Sequence, residues 1–340
     1  MNILFTCAGR RNYLINYFKE AIGDKGFIYA ADMQLSAPAL VDAHKAFIVP
    51  GIYEKEYVRT LLDICIKENV KAVISLNDLE LPILAKNRLQ FEKLGVRLII
   101  SSERVIDITF DKFKTFQFAQ EISIATPATY ITFESAKKAI RLENLKFPLV
   151  LKPRWGSASI GIEIVQTEEE LELAYRLQII KLERTILSEA SKSAKNEAVL
   201  IQEYIKGQEY GVDIINDLEG NYKATIVKKK LSMRAGETDK AMTVDDANLR
   251  AIGKKIGKVL QHVGNLDCDF FLSNGKYYLL EMNSRFGGGY PFSHESGVDI
   301  PKAIVNWIEG KETSDELFKP IYNIAFSKYD NLMRIPSNNE

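Results

Sequence analysis

Near the end of the 340-residue chain, the segment Tyr277–Gly289 reads Y-Y-L-L-E-M-N-S-R-F-G-G-G. Glu281 and Asn283 stand two apart after a strand-like apolar run, and side chains two apart on an extended segment point to the same face. Together they offer a carboxylate and an amide carbonyl, the oxygen donors that Mg2+ accepts alongside substrate phosphates. Asp269, in G-N-L-D-C-D-F-F upstream, is a third oxygen donor in an apolar strand pattern. Arg285, two residues beyond Asn283, can meet charge that a metal leaves uncovered. A lone E-x-N is equally the pattern of a buried carboxylate satisfied at a strand end, so the rest of the chain has to decide.

Two further stretches carry chemistry. Phe147–Pro153 is an apolar strand ending in Lys152, followed by R-W-G-S-A-S-I-G and a second strand from Ile162 to Val165. Small residues at Gly156, Ser157, Ser159 and Gly161 let backbone N–H groups approach phosphate oxygens. The loop has neither the G-K-[ST] ending of a Walker loop nor a helix directly after it, and by itself it reads equally well as a structural hairpin. V-L-I-Q-E-Y-I-K-G-Q-E-Y-G-V-D then gives a strand, a glycine-containing turn and a second strand on which Glu209 and Asp213 share a face. Asp111, Lys112 and Lys114 read as a solvated helix start.

The elements that must position these residues follow from periodicity. Residues 1–105 alternate apolar strands (Ile3–Thr6, Phe27–Ala30, Phe47–Val49, Ala72–Ser75, Arg97–Ile100) with amphipathic helices, which predicts a doubly wound parallel sheet. Its first turn, Cys7–Asn12, lacks the G-x-G-x-x-G fingerprint, which argues against a dinucleotide oxidoreductase. Ligands of such sheets collect at the carboxyl ends of strands, where Thr6–Arg11 and Leu76–Glu80 lie. Residues 106–125 read as a helical connector, 126–205 and 206–330 as two further units, and 331–340 as a tail. Within them, 188–196 is expected to be a mobile loop and Arg234–Thr243 a polar loop.

Composition narrows the classes. The chain is 46% hydrophobic and 26% charged, and its 45 basic residues balance 45 acidic ones. No net field recommends a nucleic acid or a membrane, and the expected partners are small molecules, with a homodimer compatible. Cys7, Cys65 and Cys268 are widely spaced among apolar neighbours, as reduced core thiols of a cytoplasmic protein would be. Three scattered histidines offer no Ser–His hydrolase.

In order and spacing these motifs resemble the ATP-grasp superfamily, most closely the branch similar to the synthetase units of the carbamoyl-phosphate synthase large chain. The resemblance runs over about residues 1–310. It implies an α/β protein: a Rossmann-like N-terminal domain, then a lid and a catalytic subdomain of an ATP-grasp fold. It further implies that Lys112 and Lys152 contact ATP phosphates under the loop of Gly156, Ser157, Ser159 and Gly161. Glu203 would take the adenine amino group, the Tyr204 and Ile205 backbone the ring edge, and Glu209 the ribose. Asp269, Glu281 and Asn283 would hold one or two Mg2+ ions (or Mn2+). Arg285, with Lys152, would stabilise the transferring phosphoryl group.

The activity so implied is an ATP-dependent carboxylate–amine ligase working through an acyl phosphate. The alternatives are a carbamoyl-phosphate-synthase-like phosphorylation of bicarbonate or carbamate, and a nucleotide-binding regulatory protein with a degenerate site. For the acceptor, Lys230, Arg234 and Lys240 are candidates to meet a carboxylate and Asp78 or Glu80 an amine, each also readable as a solvated charge. Gly287–Gly289 would leave room for it beside the metal.

Overall fold

The computed structural model describes residues 1–156, 161–192 and 194–335. Five strands, β1 (Asn2–Thr6), β2 (Ile28–Asp32), β3 (Lys45–Ile48), β4 (Val70–Ser75) and β5 (Arg97–Leu98), form a parallel sheet in the order β3-β2-β1-β4-β5. The central strands are apolar on both sides because both faces are covered, as a parallel sheet requires. Leu4 and Val73 face the helix Tyr57–Lys67 with its Leu61 and Cys65. Ile3 and Phe5 face the helix Asn12–Ile22, whose Leu14, Ile15 and Phe18 are buried.

That second face does not close on itself. Its core runs on into Phe286, Tyr290, Ile300 and Ile304, so the N-terminal sheet is welded to the last third of the chain. The carboxyl ends of β1 and β4 are thereby held beside the E-M-N-S-R segment.

A second sheet contains β6 (Thr129–Tyr130), β7 (Leu149–Pro153), β8 (Glu163–Val165) and β9 (Val199–Glu203), antiparallel in the order β6-β9-β7-β8. Leu149, Leu151, Val199 and Ile201 point to the helix Glu168–Leu182. The alternate residues Val150 and Lys152 face the other way.

The third sheet is the largest. Its strands β10 (Gln208–Asn216), β11 (Tyr222–Arg234), β12 (Glu237–Thr243), β13 (Gly264–Ser273), β14 (Lys276–Asn283) and β15 (Ala325–Ser327) run in the order β14-β13-β10-β11-β12-β15. One face, with Val212, Ile214, Leu266 and Phe270, packs on the helices Glu103–Phe110, Lys112–Glu121 and Ala247–Leu260. The other face is the polar one described below.

Two expectations are corrected. Arg234–Thr243 is a hairpin and not a loop: Ala235 and Gly236 both take positive φ (49° and 78°), and β12 pairs with β11 and β15. Two adjacent positive φ values suit the twist of a two-residue hairpin turn. The strand's polar composition hid it, since only Thr238, Ala241 and Thr243 are buried. The stretch 188–196 holds the end of a short helix, Leu187–Ser191, and a 3-10 turn, Lys195–Glu197. Leu187 anchors that helix, being buried in the core formed by the second sheet with Leu149, Leu151 and Val199.

Candidate active site

Period-two alternation places Glu209, Gly211 and Asp213 of β10 on one face of the large sheet. The same face carries Lys228 and Lys230 of β11, Asp267 and Asp269 of β13, and Glu281 and Asn283 of β14. Asp269 lies opposite Glu281 and Asp267 opposite Asn283 in the strand register. An all-oxygen donor set on adjacent strands is the chemistry of a hard divalent cation. Among the described residues no group of three or more His, Cys, Asp or Glu stands in a ligating arrangement, so the set is two carboxylates and the Asn283 amide. Burial pushes the Asp269 carboxyl up to about 7, against the pull of Lys230, with Asp267, Glu281 and Glu209 adding to the rise. A dication would relieve this crowding of acids, and the residues therefore fit one.

The cations are distributed on the same floor. Lys230 Nζ bridges Glu209 Oε1 at 2.6 Å and Asp269 Oδ1 at 2.7 Å. Its charge is already met by two carboxylates, which leaves it a weaker candidate for a substrate carboxylate than the sequence suggested. Lys228 is buried on Asp213, which also accepts from Asn265 and Ser293. Gly211 leaves the space over which these two lysines lie: a Cβ there would come within 3.3 Å of Lys230 Cε and 3.6 Å of Lys228 Cε.

Arg285 is buried between two acids. Its Nε and Nη2 donate to Asp78 Oδ2 at 3.2 and 2.8 Å, and Nη1 donates to Asp267 Oδ2 at 3.1 Å. Asp78, expected to meet an amine, is buried against Arg285 and lines neither cavity. The Asp267 carboxylate fills the place where a Cβ of Gly287 would lie, 2.1 Å from its Cγ, so this glycine makes room for Asp267. Gly288 and Gly289 do line open space.

Lys112 opens its helix beside Arg154 O, to which its backbone N donates at 3.1 Å. The Arg154 guanidinium grips Asp111 through Nε (2.8 Å) and Nη2 (2.7 Å), which ties the end of β7 to the connector. Asp111 is therefore no solvated charge. Lys112 Nζ donates to Gly156 O and lies 3.6 Å from Glu281. Gly156 and Gly161 have φ of 103° and 70°, values that L side chains rarely adopt. Ser157 and Ser159 lie outside the described residues.

Lys152 has no carboxylate within ion-pair distance among the described residues. Burial pulls its ammonium down to about 8, with Glu281 pulling the other way. Bound phosphate favours the charged form, so nucleotide binding is expected to take up a proton near pH 8 to 9 and to weaken as pH rises through that range. Calorimetry of ADP binding in buffers of different ionisation heat measures this; uptake should be negligible at pH 6.5 and absent in Lys152→Met.

Between the second and third sheets lies a cleft of about 390 Å3 lined by Lys112, Lys152, Gly156, Glu203, Tyr204, Ile205, Glu209, Asp269 and Glu281. The apolar side chains Val150, Ile164, Phe271 and Leu280 form its walls. Glu203 Oε2 accepts from Ala128 N at 3.1 Å. A second, smaller chamber of about 70 Å3 adjoins it and shares Asp269, Glu281, Met233 and Gly236. Its other polar lining includes Arg11, Lys228, Lys230, Glu237, Thr238, Asp267, Asn283 and Arg285.

Not every expected residue is here. Glu80 is fully buried away from both cavities, accepting from Thr6 Oγ1 (2.8 Å), Ser75 Oγ (2.6 Å) and Tyr57 OH (2.6 Å). Arg234 pairs outward with Asp239 and Asp330, and Lys240 is exposed on β12; neither lines a cavity. Conversely, the sequence assigned no role to Asp267, Lys228 or Arg154, and it located Arg11 only within a turn at the carboxyl end of a strand, where ligands collect. The period-two D-C-D and K-K-K patterns could have flagged Asp267 and Lys228.

Comparison with known proteins agrees with this architecture. Residues 195–329 match a family described as ATP-grasp in the biosynthetic pathway with Ter operon. Those residues are an ATP-grasp domain. Residues 3–99 match the PylC-like N-terminal domain that precedes it. The chain is 27% identical over 238 residues to the carbamoyl phosphate synthase large chain of Thermoanaerobacter sp. (strain X514), covering 67% of this chain and 21% of that one. It therefore spans about a fifth of the length of the curated relatives it matches. Among solved structures it superposes on a biotin carboxylase from Campylobacter jejuni with a TM-score of 0.72 at 19% identity, covering 94% of this chain and 73% of that one. An L-amino acid ligase from Bacillus licheniformis gives 0.63 at 18%, covering 94% and 75%. At these identities the likeness to the solved structures is one of fold. No described helix of this chain is long and apolar enough to cross a membrane.

Proposed function

We propose that the chain is a Mg2+-dependent carboxylate–amine ligase that converts ATP to ADP and phosphate through an acyl phosphate. The observation that carries this reading is the shared wall of the two cavities. The nucleotide-sized cleft and the polar chamber meet at Asp269 and Glu281, so a γ-phosphate reaching that wall would face whatever occupies the chamber. The chamber lining contains no serine, cysteine or histidine among the described residues, and its carboxylates Asp267 and Asp269 are engaged by Arg285 and Lys230, an arrangement compatible with direct transfer to a substrate carboxylate.

In this reading Glu203, Tyr204 and Ile205 hold the adenine and Glu209 the ribose. Lys112 and Lys152 carry positive charge to the phosphates beneath the Gly156–Gly161 loop. Asp269, Glu281 and Asn283 would hold the Mg2+, which when bound neutralises the phosphate oxygens. Arg285, fixed by Asp78 and Asp267, presents its remaining positive edge to the transferring group. Catalysis by positioning and charge cancellation is what phosphoryl transfer needs. The substrates are a small carboxylic acid and an amine, and the three free thiols suit a cytoplasmic setting.

The test is ADP and phosphate release from Mg-ATP with pools of amino acids, other carboxylates and bicarbonate, with products identified by mass. Acid-dependent ADP formation with an amide product supports the ligase. ADP formed with bicarbonate alone would favour the carbamoyl-phosphate-like reaction, and ATP binding without turnover in any pool a regulatory role.

A further inference from the structure

The charges of the chamber sort into those already matched and one that is not. Arg285 lies between Asp78 and Asp267, Lys230 between Glu209 and Asp269, and Lys228 on Asp213. Arg11 reaches the same chamber from the turn after β1. It has no carboxylate within ion-pair distance among the described residues, and its guanidinium donates from Nη1 to the Phe286 carbonyl. A guanidinium has five N–H donors in a rigid fork, so most of this one faces the chamber without a protein acceptor.

The acid of the lining that stands apart from the other cations, Glu237, is already held by Lys328, whose Nζ lies 3.4 Å from its Oε2. Burial lowers the Lys328 ammonium, and the charge of Arg11 adds to the lowering, so the two cations feel each other across Glu237. Each acid of the chamber lining thus has its own cation, Asp267 on Arg285, Asp269 on Lys230, Glu281 beside Lys112 and Glu237 on Lys328, and Arg11 is left as the lining cation without a carboxylate among the described residues. A planar fork in such a place matches a carboxylate bidentately.

We propose that Arg11 binds a second carboxylate of the substrate, distinct from the one activated at the Glu281 end, so that the acid substrate of this site is a dicarboxylate. The assignment rests on the ligase reading for what happens at the other end, and on Arg11 alone for the recognition. Arg11 here is a specificity-determining residue. It replaces Lys230, Arg234 and Lys240, which are paired or lie outside the chamber.

The experiment compares matched acids (succinate with butyrate, aspartate with alanine) in wild type, Arg11→Met and Arg11→Lys. Hydroxylamine serves as the amine, its nitrogen displacing phosphate from the acyl phosphate to give a hydroxamate. Unchanged ADP binding reports that each variant is folded. At least one dicarboxylate is expected to exceed its monocarboxylate partner about tenfold or more in kcat/KM, on the scale of a charge-assisted hydrogen bond pair. Arg11→Met should abolish that preference through KM, and Arg11→Lys should keep part of it. A second readout is binding of the same acids to the ADP-loaded protein by calorimetry. If dicarboxylates bind through Arg11 while no acid drives ADP release, the ligase reading fails and the Arg11 assignment stands. If acids drive turnover with no dicarboxylate preference, or Arg11→Met keeps that preference, the assignment is overturned and the ligase stands. If no dicarboxylate binds in either assay, the assignment is overturned.

Discussion

Replacing Glu281 with alanine is expected to lower acid-dependent ADP release by at least about a thousandfold, roughly 4 kcal/mol of lost transition-state stabilisation. Glu281 sits on the wall common to both cavities, opposite Asp269 and 3.6 Å from Lys112. Burial pushes its carboxyl up, but the surrounding cations Lys112, Lys152, Lys230 and Arg285 outweigh this and hold it below the usual range, so it is ionised and available to a metal at neutral pH. The replacement removes a ligand where charge develops, and leaves Lys112 and Lys152 without the acid that moderates their repulsion. Apparent Mg2+ affinity, read from the Mg2+ dependence of ADP binding, should fall alongside the rate. Near-normal turnover and metal dependence in this variant would remove Glu281 from the metal site.

Asp78→Ala is expected to destabilise the protein by about 3 kcal/mol and to lower kcat while leaving KM for the acid little changed. Removing one partner of a buried ion pair costs about 3–5 kcal/mol because a charge is left uncompensated, and the retained Asp267 contact places this case at the lower end. The urea midpoint measures the first effect. The second follows because Asp78 acts through Arg285: without it the guanidinium keeps its charge and loses its orientation. An acceptor-binding role for Asp78 predicts the reverse, a raised KM at constant kcat. Asp78→Asn, of similar size and able to accept one hydrogen bond, should lie between wild type and Asp78→Ala on both measures.

Residues that act through another are where local reading fails. Asp78 and Arg285 are 207 positions apart, and no spacing rule joins them. Within a strand such a rule exists, and it paired Glu281 with Asn283 and Glu209 with Asp213. Lys230 illustrates the limit. Its place on a polar face follows from alternation, yet only the neighbouring strand shows that Glu209 and Asp269 already hold it. Glu80 has the same local character as Asp78, two residues away, but it turns into the hydroxyls of Thr6, Ser75 and Tyr57 whereas Asp78 meets Arg285. The hairpin over Arg234–Thr243 was missed because its exposed side chains erase the apolar alternation by which strands are recognised.

The E-M-N-S-R segment, the lysine closing an apolar strand before a glycine-serine loop, and Q-E-Y-I carried the resemblance to the superfamily, because each is a run of neighbouring residues legible without knowing what packs against it. The alternation of strand and helix likewise determined the parallel N-terminal sheet, since burial on both faces demands continuous apolar strands. Only the tertiary structure decided which charges face one another. The helix Asn12–Ile22 packs on Ile300–Ile308 and brings Arg11 and Asp78 against a sheet whose residues come from the last third of the chain. Charge pairing acts across space over a few ångströms, so Arg285 acquires its acids and Arg11 goes without one for reasons that sequence separation cannot express.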